Sequence, residues 1–161
     1  GGVKRFHHKY IGMNARMDTI QAAVIETKLS RYQETMRKRQ ECAEYYNHIL
    51  KQLDTLIQLP IVKDGRTSVW AQYSLLAPSK EARDFIVEHF KANGVNVAIF
   101  YPAPLHKQVC FASELVAKAL PITESVCDRV FNLPCYAELT LEEQVKIVQI
   151  LEDATKILTE K

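Results

Sequence analysis

The chain has 161 residues, of which 47% are apolar and 25% charged, as expected for a globular domain with a real core. Its net charge of +2 is too balanced to indicate a nucleic-acid-binding protein. The four cysteines form no CxxC pair and no zinc-ligand cluster, so we expect free thiols and no metal site. No apolar run could span a membrane and no signal peptide opens the sequence, so we expect a cytoplasmic protein without membrane contacts.

The first third of the chain predicts a loop followed by a long helix. Residues 1–16 show no hydrophobic periodicity, and Asp18 can cap a helix with Gln21 as its capping-box partner. Apolar residues then recur at steps of three and four: Ile25, Leu29, Tyr32, Met36, Ala43, Tyr46, Leu50 and Leu53. A straight helix over this stretch would be about 50 Å long and suits an element that crosses between two domains. A bend is possible near Ser30.

The remainder predicts alternating strands and helices. Asp64-Gly65 marks a turn, and the alternation over Val69–Leu76 predicts a strand. Ser79 can cap a helix that closes at Asn93-Gly94, and Val95–Tyr101 predicts a second strand, with Tyr101 and three alternate residues on one face.

The last third adds helices and one short strand. We predict a helix over Cys110–Ala119, a helix starting at Thr123, a strand at Phe131–Leu133 and a final helix opened by the capping box Thr140–Glu143. The inner face of that helix is predicted to carry Leu141, Val145, Val148, Leu151, Ala154 and Leu158. Together these elements predict an α/β sandwich with a small sheet.

Two polar loop segments are candidates for binding chemistry. In the first, Gly12 can adopt positive φ, Asn14 offers amide donors that suit phosphate oxygens, and Arg16 offers a planar fork of donors. A turn glycine, an Asx turn and a surface ion pair are the structural alternatives. In the second, Tyr101 presents a ring and a hydroxyl, and His106 is either a ligand contact or a loop histidine satisfied by a nearby carbonyl.

These segments carry a family resemblance. The sequence YIGMNARMDTIQAA, which begins at Tyr10, and FYPAPLHKQ, which begins at Phe100, resemble the C-terminal part of the DegT/DnrJ/EryC1/StrS aminotransferases. The resemblance implies the C-terminal small domain of a fold-type I pyridoxal-phosphate-dependent transferase. It would comprise a contact loop (1–16), a long linking helix (17–55) and a small domain (56–161) whose mixed or antiparallel sheet packs with helices. The chain lacks an initiator Met and resembles less than half of a family member, so we expect a fragment.

The resemblance also implies roles for individual residues. Asn14 would touch the cofactor phosphate in trans, across the interface of a homodimer, while Arg16 would lie near the substrate. Tyr101 and His106 would line the sugar pocket, and His8 falls at a family-like position before the loop. Many relatives carry His where this chain has Phe100, which makes an acidic sugar a poorer expectation.

The implied activity is transfer of an amino group, commonly from glutamate, to a nucleotide-linked keto-sugar for surface polysaccharide or amino-sugar biosynthesis. The lysine that holds the cofactor and the acidic partner of its pyridine nitrogen lie upstream in the family. We therefore assign no catalytic residue here and expect the fragment alone to be inactive. Two alternatives stay open: a sugar dehydratase of the same family, and a non-catalytic binding module.

Overall fold

The computed structural model describes residues 2–53, 56–111 and 119–160 of the chain. In order, its elements are β1 (Gly2–Lys4), β2 (His7–His8), α1 (Thr19–Leu29), α2 (Tyr32–Leu50), β3 (Tyr73–Leu76), α3 (Lys80–Ala92), α4 (Pro121–Arg129), β4 (Val130–Leu133) and α5 (Leu141–Thr159). Two 3-10 turns, Leu105–Lys107 and Val109–Phe111, lie between α3 and α4. This mixture of helices and a small sheet confirms the predicted α/β class.

Local capping signals place three helix starts where the sequence predicted them. The Gln21 amide donates to Asp18 Oδ1 over 2.8 Å, and the Ala82 amide donates to Ser79 Oγ over 3.1 Å. Thr140 and Glu143 form the complete capping box that opens α5. Each cap satisfies a backbone amide that the first helical turn leaves unpaired, which is why the motif sets the helix start.

The predicted long helix is divided in two at the expected bend. α1 ends at Leu29 and α2 begins at Tyr32, so Ser30 lies in the break. The apolar stripe is divided as well: its second half, including Tyr46 and Leu50, is buried, whereas no residue of α1 is buried. Of these two helices, only α2 therefore contributes to the core of the described structure.

The principal sheet is a narrow antiparallel pair. β3 pairs with β4 in the register Tyr73↔Leu133 to Leu76↔Val130, and single bridges add Gln58 beside β3 and Ala98 beside β4. The antiparallel option of the fold prediction is therefore confirmed.

Both of the longer predicted strands contain more residues than the structure pairs in its sheet. The strand predicted over Val69–Leu76 begins only at Tyr73, since Trp70 has φ of 46° and turns the chain before the alternation becomes regular. The strand predicted over Val95–Tyr101 is wrong, because only its Ala98 pairs with Asn132. β4 offers four residues and is followed by Pro134, which has no amide to donate, so little edge remains for pairing.

The predicted amino-terminal loop also needs correction. β1 and β2 form a small antiparallel hairpin within residues 2–8, and only the stretch from 9 to 18 lacks regular structure. Its strands are two and three residues long, too short for hydrophobic alternation to reveal them.

Further along, α4 starts at Pro121, two residues before the predicted Thr123. Proline suits the first helical position, because its fixed φ matches the helix and its missing amide is not needed there. The helix predicted over Cys110–Ala119 lies largely outside the described residues, and its described start belongs to a 3-10 turn.

The core lies between the sheet and helices α2, α3 and α5. Its fully buried large side chains are Tyr46, Tyr73, Leu75, Ile86, Phe90, Phe131 and Leu151. Burial of each such side chain contributes roughly 1.5–3 kcal/mol. On α5 the buried face includes Ile147 and Ile150, whereas the predicted Leu141 and Val145 are exposed. The true inner face is thus rotated relative to the predicted stripe.

The buried tyrosines keep their hydroxyls paired. Tyr46 donates to the Pro134 carbonyl over 3.0 Å, and Tyr73 donates to Asn47 Oδ1 over 2.8 Å. These bonds join α2 to both strands of the sheet, because Pro134 directly follows β4. In the described part of the chain, no helix is both long and apolar enough to cross a bilayer.

Candidate functional site

The loop that follows β2 lines an open cavity of about 580 Å³. Gly12, Asn14 and Arg16 contribute to its wall, as do His8 and Gln108. Among the described residues, neither the Asn14 amide nor the Arg16 guanidinium has a hydrogen-bond partner, and both are exposed. Their donors are therefore free to meet an anionic ligand.

A second cavity, of about 470 Å³, adjoins the first. Its wall carries the aromatic side chains of Phe6, Phe100 and Tyr101, and it shares His8, Leu105 and Gln108 with the first cavity. We call the first the loop cavity and the second the aromatic cavity. Their shared wall joins a cavity that carries the donors of Asn14 and Arg16 to a cavity that carries aromatic rings.

The turn of the β1–β2 hairpin contributes Phe6 to the wall of the aromatic cavity. The Phe6 ring packs edge-on against Phe100, with 5.7 Å between ring centroids, and against Tyr101, with 5.3 Å. Arg5 lies over the Phe6 ring at 4.8 Å from its centroid. Phe100 and Tyr101 thus line the same cavity, whereas a regular strand would have placed them on opposite faces.

Gln108 joins the hairpin to the second polar segment. Its Oε1 accepts from the His8 amide and its Nε2 donates to the Phe6 carbonyl, each over 3.0 Å. The side chain is almost fully buried, at 7% exposure. Sequence reasoning missed this residue, because nothing local to FYPAPLHKQ indicates a partner 100 residues away.

His106 is engaged within the domain. Its Nε2 lies 3.0 Å from Glu124 Oε1, Lys107 donates to Glu124 Oε2 over 2.6 Å, and the Leu120 amide donates to Glu124 Oε1 over 3.1 Å. Hydrogen bonds from Lys107 and His106, and then from Leu120, lower the pKa of Glu124 to about 2. The carboxylate is thus held ionised at neutral pH and ties the 3-10 turn to the start of α4.

The structure therefore separates the predicted site residues into groups. Asn14, Arg16 and His8 line the loop cavity, and His8 and Tyr101 line the aromatic cavity. His106 lines neither, and its side chain is 10% exposed. Its predicted contact with substrate stays a prediction, and its observed partner is the Glu124 carboxylate in place of the carbonyl that the structural alternative named. Among the described residues, no cluster of His, Cys, Asp or Glu could hold a metal ion.

Comparison with known proteins accounts for this arrangement. The model of the DegT/DnrJ/EryC1/StrS aminotransferase family matches residues 1–152. The chain belongs to this family. Its aminotransferases use pyridoxal 5'-phosphate, which confirms the cofactor expectation at the level of the family.

Individual relatives agree with this assignment. The chain is 35% identical to the UDP-2-acetamido-2-deoxy-3-oxo-D-glucuronate aminotransferase of Pseudomonas aeruginosa over 86% of its own length and 37% of the relative's. It is 30% identical to the dTDP-3-amino-3,6-dideoxy-alpha-D-galactopyranose transaminase of Aneurinibacillus thermoaerophilus, over 92% of its own length and 39% of the relative's. A solved family aminotransferase from Brucella abortus is 34% identical with a TM-score of 0.77, covering 96% of this chain and 40% of that one. The chain thus spans about two fifths of the length of these relatives.

The residues present fit one end of this cofactor. An exposed amide and a guanidinium at the loop cavity suit a phosphate dianion, whose oxygens accept several hydrogen bonds. No lysine lines either cavity among the described residues. The described lining thus offers donors that fit a phosphate group and no lysine that could hold the cofactor covalently.

Proposed function

We propose that the chain is the C-terminal portion of a pyridoxal-phosphate-dependent aminotransferase that acts on a nucleotide-linked keto-sugar. The amino donor would be glutamate, and the product would enter surface polysaccharide or amino-sugar biosynthesis in the cytoplasm. The observation that carries the proposal is the pair of free donors, Asn14 and Arg16, in a cavity that adjoins a second cavity lined by aromatic rings. A ligand with both charged and apolar faces suits such a pair of cavities.

In this proposal the chain binds and orients, and supplies no covalent chemistry. When bound, the cofactor carries the amino group from donor to keto-sugar. Asn14 donates to its phosphate across the interface of a homodimer, and Arg16 holds an anionic group of the substrate. Tyr101 and Phe6 contribute an apolar wall that excludes water from the sugar. The lysine and the acidic group that complete the reaction belong to the upstream part of the full-length protein.

The role of Asn14 is testable by a change of one charge. In the full-length protein, Asn14→Asp would place a carboxylate beside the phosphate dianion. At an effective dielectric constant of about 20, such repulsion is of the order of a few kcal/mol at contact distance. We expect the affinity for pyridoxal phosphate, measured by titration of the apoprotein, to fall by more than about tenfold, since 1.4 kcal/mol corresponds to that factor.

Gln149→Glu provides the matched control. It introduces the same charge change at an exposed position of α5, and we expect its cofactor affinity to equal that of the wild type. Equal affinity in Asn14→Asp would contradict the assigned role. Loss of affinity in both variants would assign the effect to net charge and not to the loop.

A mixed dimer tests action in trans. One subunit would carry Asn14→Asp and the other would lack its cofactor-binding lysine. If Asn14 serves the neighbouring subunit, the intact lysine meets an intact Asn14 and activity returns. If it acts in cis, neither site is complete and the mixed dimer stays inactive.

Analysis of the products distinguishes the two candidate reactions of the full-length protein. Release of an amino-sugar with consumption of glutamate supports transamination, whereas loss of water from the sugar without an amino donor would assign the dehydratase function.

A further inference from the structure

We propose that Gln108 is a positioning residue that fixes the start of the loop bearing Asn14 and Arg16. This inference rests on the proposed function, because the loop matters only if it contacts cofactor and substrate. Both ends of the Gln108 side-chain amide form hydrogen bonds with the backbone of the hairpin, at Phe6 and His8. Gln108 lines both cavities, but both polar ends of its amide are bonded to the hairpin, so its effect on a ligand is transmitted through the loop that begins after His8.

The hairpin needs such an anchor. β1 and β2 hold three and two residues, and their register is irregular between Gly2 and Lys4. An isolated two-stranded hairpin is marginally stable at best. The stretch from 9 to 18 has no regular structure that could hold it in place. The position of the loop therefore depends on what holds its first residues.

Gln108 also holds an unfavourable backbone conformation. Phe6 has φ of 65°, in the left-handed region that non-glycine residues rarely adopt. This conformation turns the chain between the strands while the ring packs against Phe100 and Tyr101. The hydrogen bond from Gln108 to the Phe6 carbonyl fixes the same residue from the other side. Loss of Gln108 would release both the turn and the amide at which the loop begins.

The chain contains a second buried glutamine that separates positioning from packing. Gln144 is 5% exposed and donates to the Cys42 carbonyl and sulfur across a sequence separation of 102 residues. It joins α5 to α2 and lines neither cavity among the described residues. Gln108 and Gln144 are thus similar in burial and in the sequence separation of their hydrogen bonds, but of the two only Gln108 bonds to the hairpin and lines the cavities.

The test replaces each glutamine by Met in the full-length protein, which keeps the length of the side chain but removes its amide. In Gln108→Met, we expect faster hydrogen exchange across residues 6–16, above all at the His8 amide. We also expect affinity for pyridoxal phosphate to fall on the order of tenfold and the KM for the nucleotide-sugar to rise, because buried hydrogen bonds are lost. In Gln144→Met, we expect reduced thermal stability with wild-type exchange at 6–16, cofactor affinity and KM.

A third variant separates the two bonds. Gln108→Glu keeps an acceptor for the His8 amide but loses the donor to Phe6, so we expect it to restore protection of His8 while leaving the turn loosened. In combination with Asn14→Ala, Gln108→Met should lower cofactor affinity by less than the product of the single effects, because both changes remove the same contact.

The outcomes separate this inference from the proposed function. If the wild type binds no pyridoxal phosphate, the proposed function fails, and the exchange data still decide whether Gln108 anchors the hairpin. Unchanged exchange at His8 in Gln108→Met would overturn the inference. If Gln108→Met exchanges faster but keeps the wild-type cofactor affinity and KM, the hydrogen bonds of Gln108 do not affect the site. That result would also overturn the inference.

Discussion

Glu124 shows how one side chain organises a segment around it. Its two carboxylate oxygens meet His106 and Lys107 from the 3-10 turn and the Leu120 amide ahead of α4. The turn follows directly after Pro104 and includes Leu105, which lines both cavities. The ion-paired cluster therefore supports the shared wall of the site from behind.

The acid sensitivity of this cluster can be predicted. The pKa of Glu124 in the fold, about 2, lies below its ordinary value of 4.5. A lowered pKa means that ionised Glu124 stabilises the fold above pH 4.5, and that this contribution disappears as the pH falls from 4.5 towards 2. In the full-length protein, Glu124→Gln should lower the unfolding temperature near neutral pH, and the difference from wild type should shrink over that range.

Glu88→Gln is the control for this measurement. Glu88 forms only a loose surface pair with Lys91 at 3.7 Å, so we expect little change in unfolding temperature at any pH. A difference between wild type and Glu124→Gln that stays constant down to pH 2 would contradict the assignment.

Some residues of the candidate site could be identified from the sequence, whereas others are recognised only in the folded structure. Asn14 and Arg16 stand in one short motif, and both line the loop cavity. The hydrogen bonds of Gln108 reach residues 100 and 102 positions away, and those of Glu124 reach up to 18 positions, so they exist only after the chain has folded. His106 was singled out by its place in the FYPAPLHKQ segment, yet only the fold shows its carboxylate neighbour, Glu124. Motifs thus identify side chains that face outward more readily than those that hold the motifs in place.

Among the helices, α1 is the element whose surroundings the described structure leaves open. None of its residues is buried, and Ile20 and Val24, one helical turn apart, are 78% and 51% exposed. A helix of 11 residues has marginal stability in water without tertiary contacts. Since the chain spans about two fifths of its relatives, we expect the rest of the full-length protein to cover this face.

This expectation predicts opposite effects in two contexts. Ile20→Ser with Val24→Ser should reduce self-association of the isolated 161-residue chain, because it removes exposed apolar surface. In the full-length protein the same pair should lower stability by several kcal/mol, because each side chain would be buried there. Sedimentation of the isolated chain and denaturant unfolding of the full-length protein measure the two effects.

Leu141→Ser with Val145→Ser is the matched pair on α5, at the same spacing and also exposed. We expect it to leave the stability of the full-length protein nearly unchanged. Equal loss of stability from both pairs would mean that α1 is no more covered than α5.

At the scale of elements, the sequence best predicted features that depend on neighbouring residues, such as helix caps. Caps at Asp18, Ser79 and Thr140 lie within three residues of the amides they satisfy, and all three are confirmed as caps. Of the two predicted capping boxes, the one at Thr140 is complete, whereas in the described structure Asp18 and Gln21 form only the bond from the Gln21 amide. Strand length depends on the partner, so the alternation over Val95–Tyr101 produced one bridge to Asn132 instead of a strand. The rotated face of α5 has the same origin, because apolar residues surround much of that helix and only its packing against α2 and α3 selects the buried side.

At the scale of the whole molecule, the two cavities suit chemically different parts of the proposed ligand. The loop cavity offers hydrogen-bond donors, while the aromatic cavity offers Phe6, Phe100 and Tyr101. One relative is named for a glucuronate and another for a 3,6-dideoxy sugar, so the family includes enzymes for both acidic and neutral sugars. If the proposed function holds, we expect the wall residues of these cavities to contribute to the choice between such sugars.

Phe100 makes the clearest prediction about that choice. It lines the aromatic cavity beside Tyr101, where it presents an apolar ring in place of a donor. A carboxylate desolvated without a partner costs several kcal/mol, whereas a buried methyl group gains about 0.8 kcal/mol. We therefore expect the full-length protein to have a higher kcat/KM for a 6-deoxy keto-sugar nucleotide than for the corresponding uronate.

The substitution Phe100→His tests the cause of this preference. An imidazole in the wall can donate to a carboxylate, so kcat/KM for the uronate should rise by about tenfold or more while that for the 6-deoxy sugar falls. Phe85→His, at a half-buried position of α3 that lines neither described cavity, should leave the ratio of the two values unchanged. If the wild type already favours the uronate, or if Phe100→His leaves that ratio unchanged, Phe100 does not face the sugar and the selectivity resides in the loop cavity with Arg16.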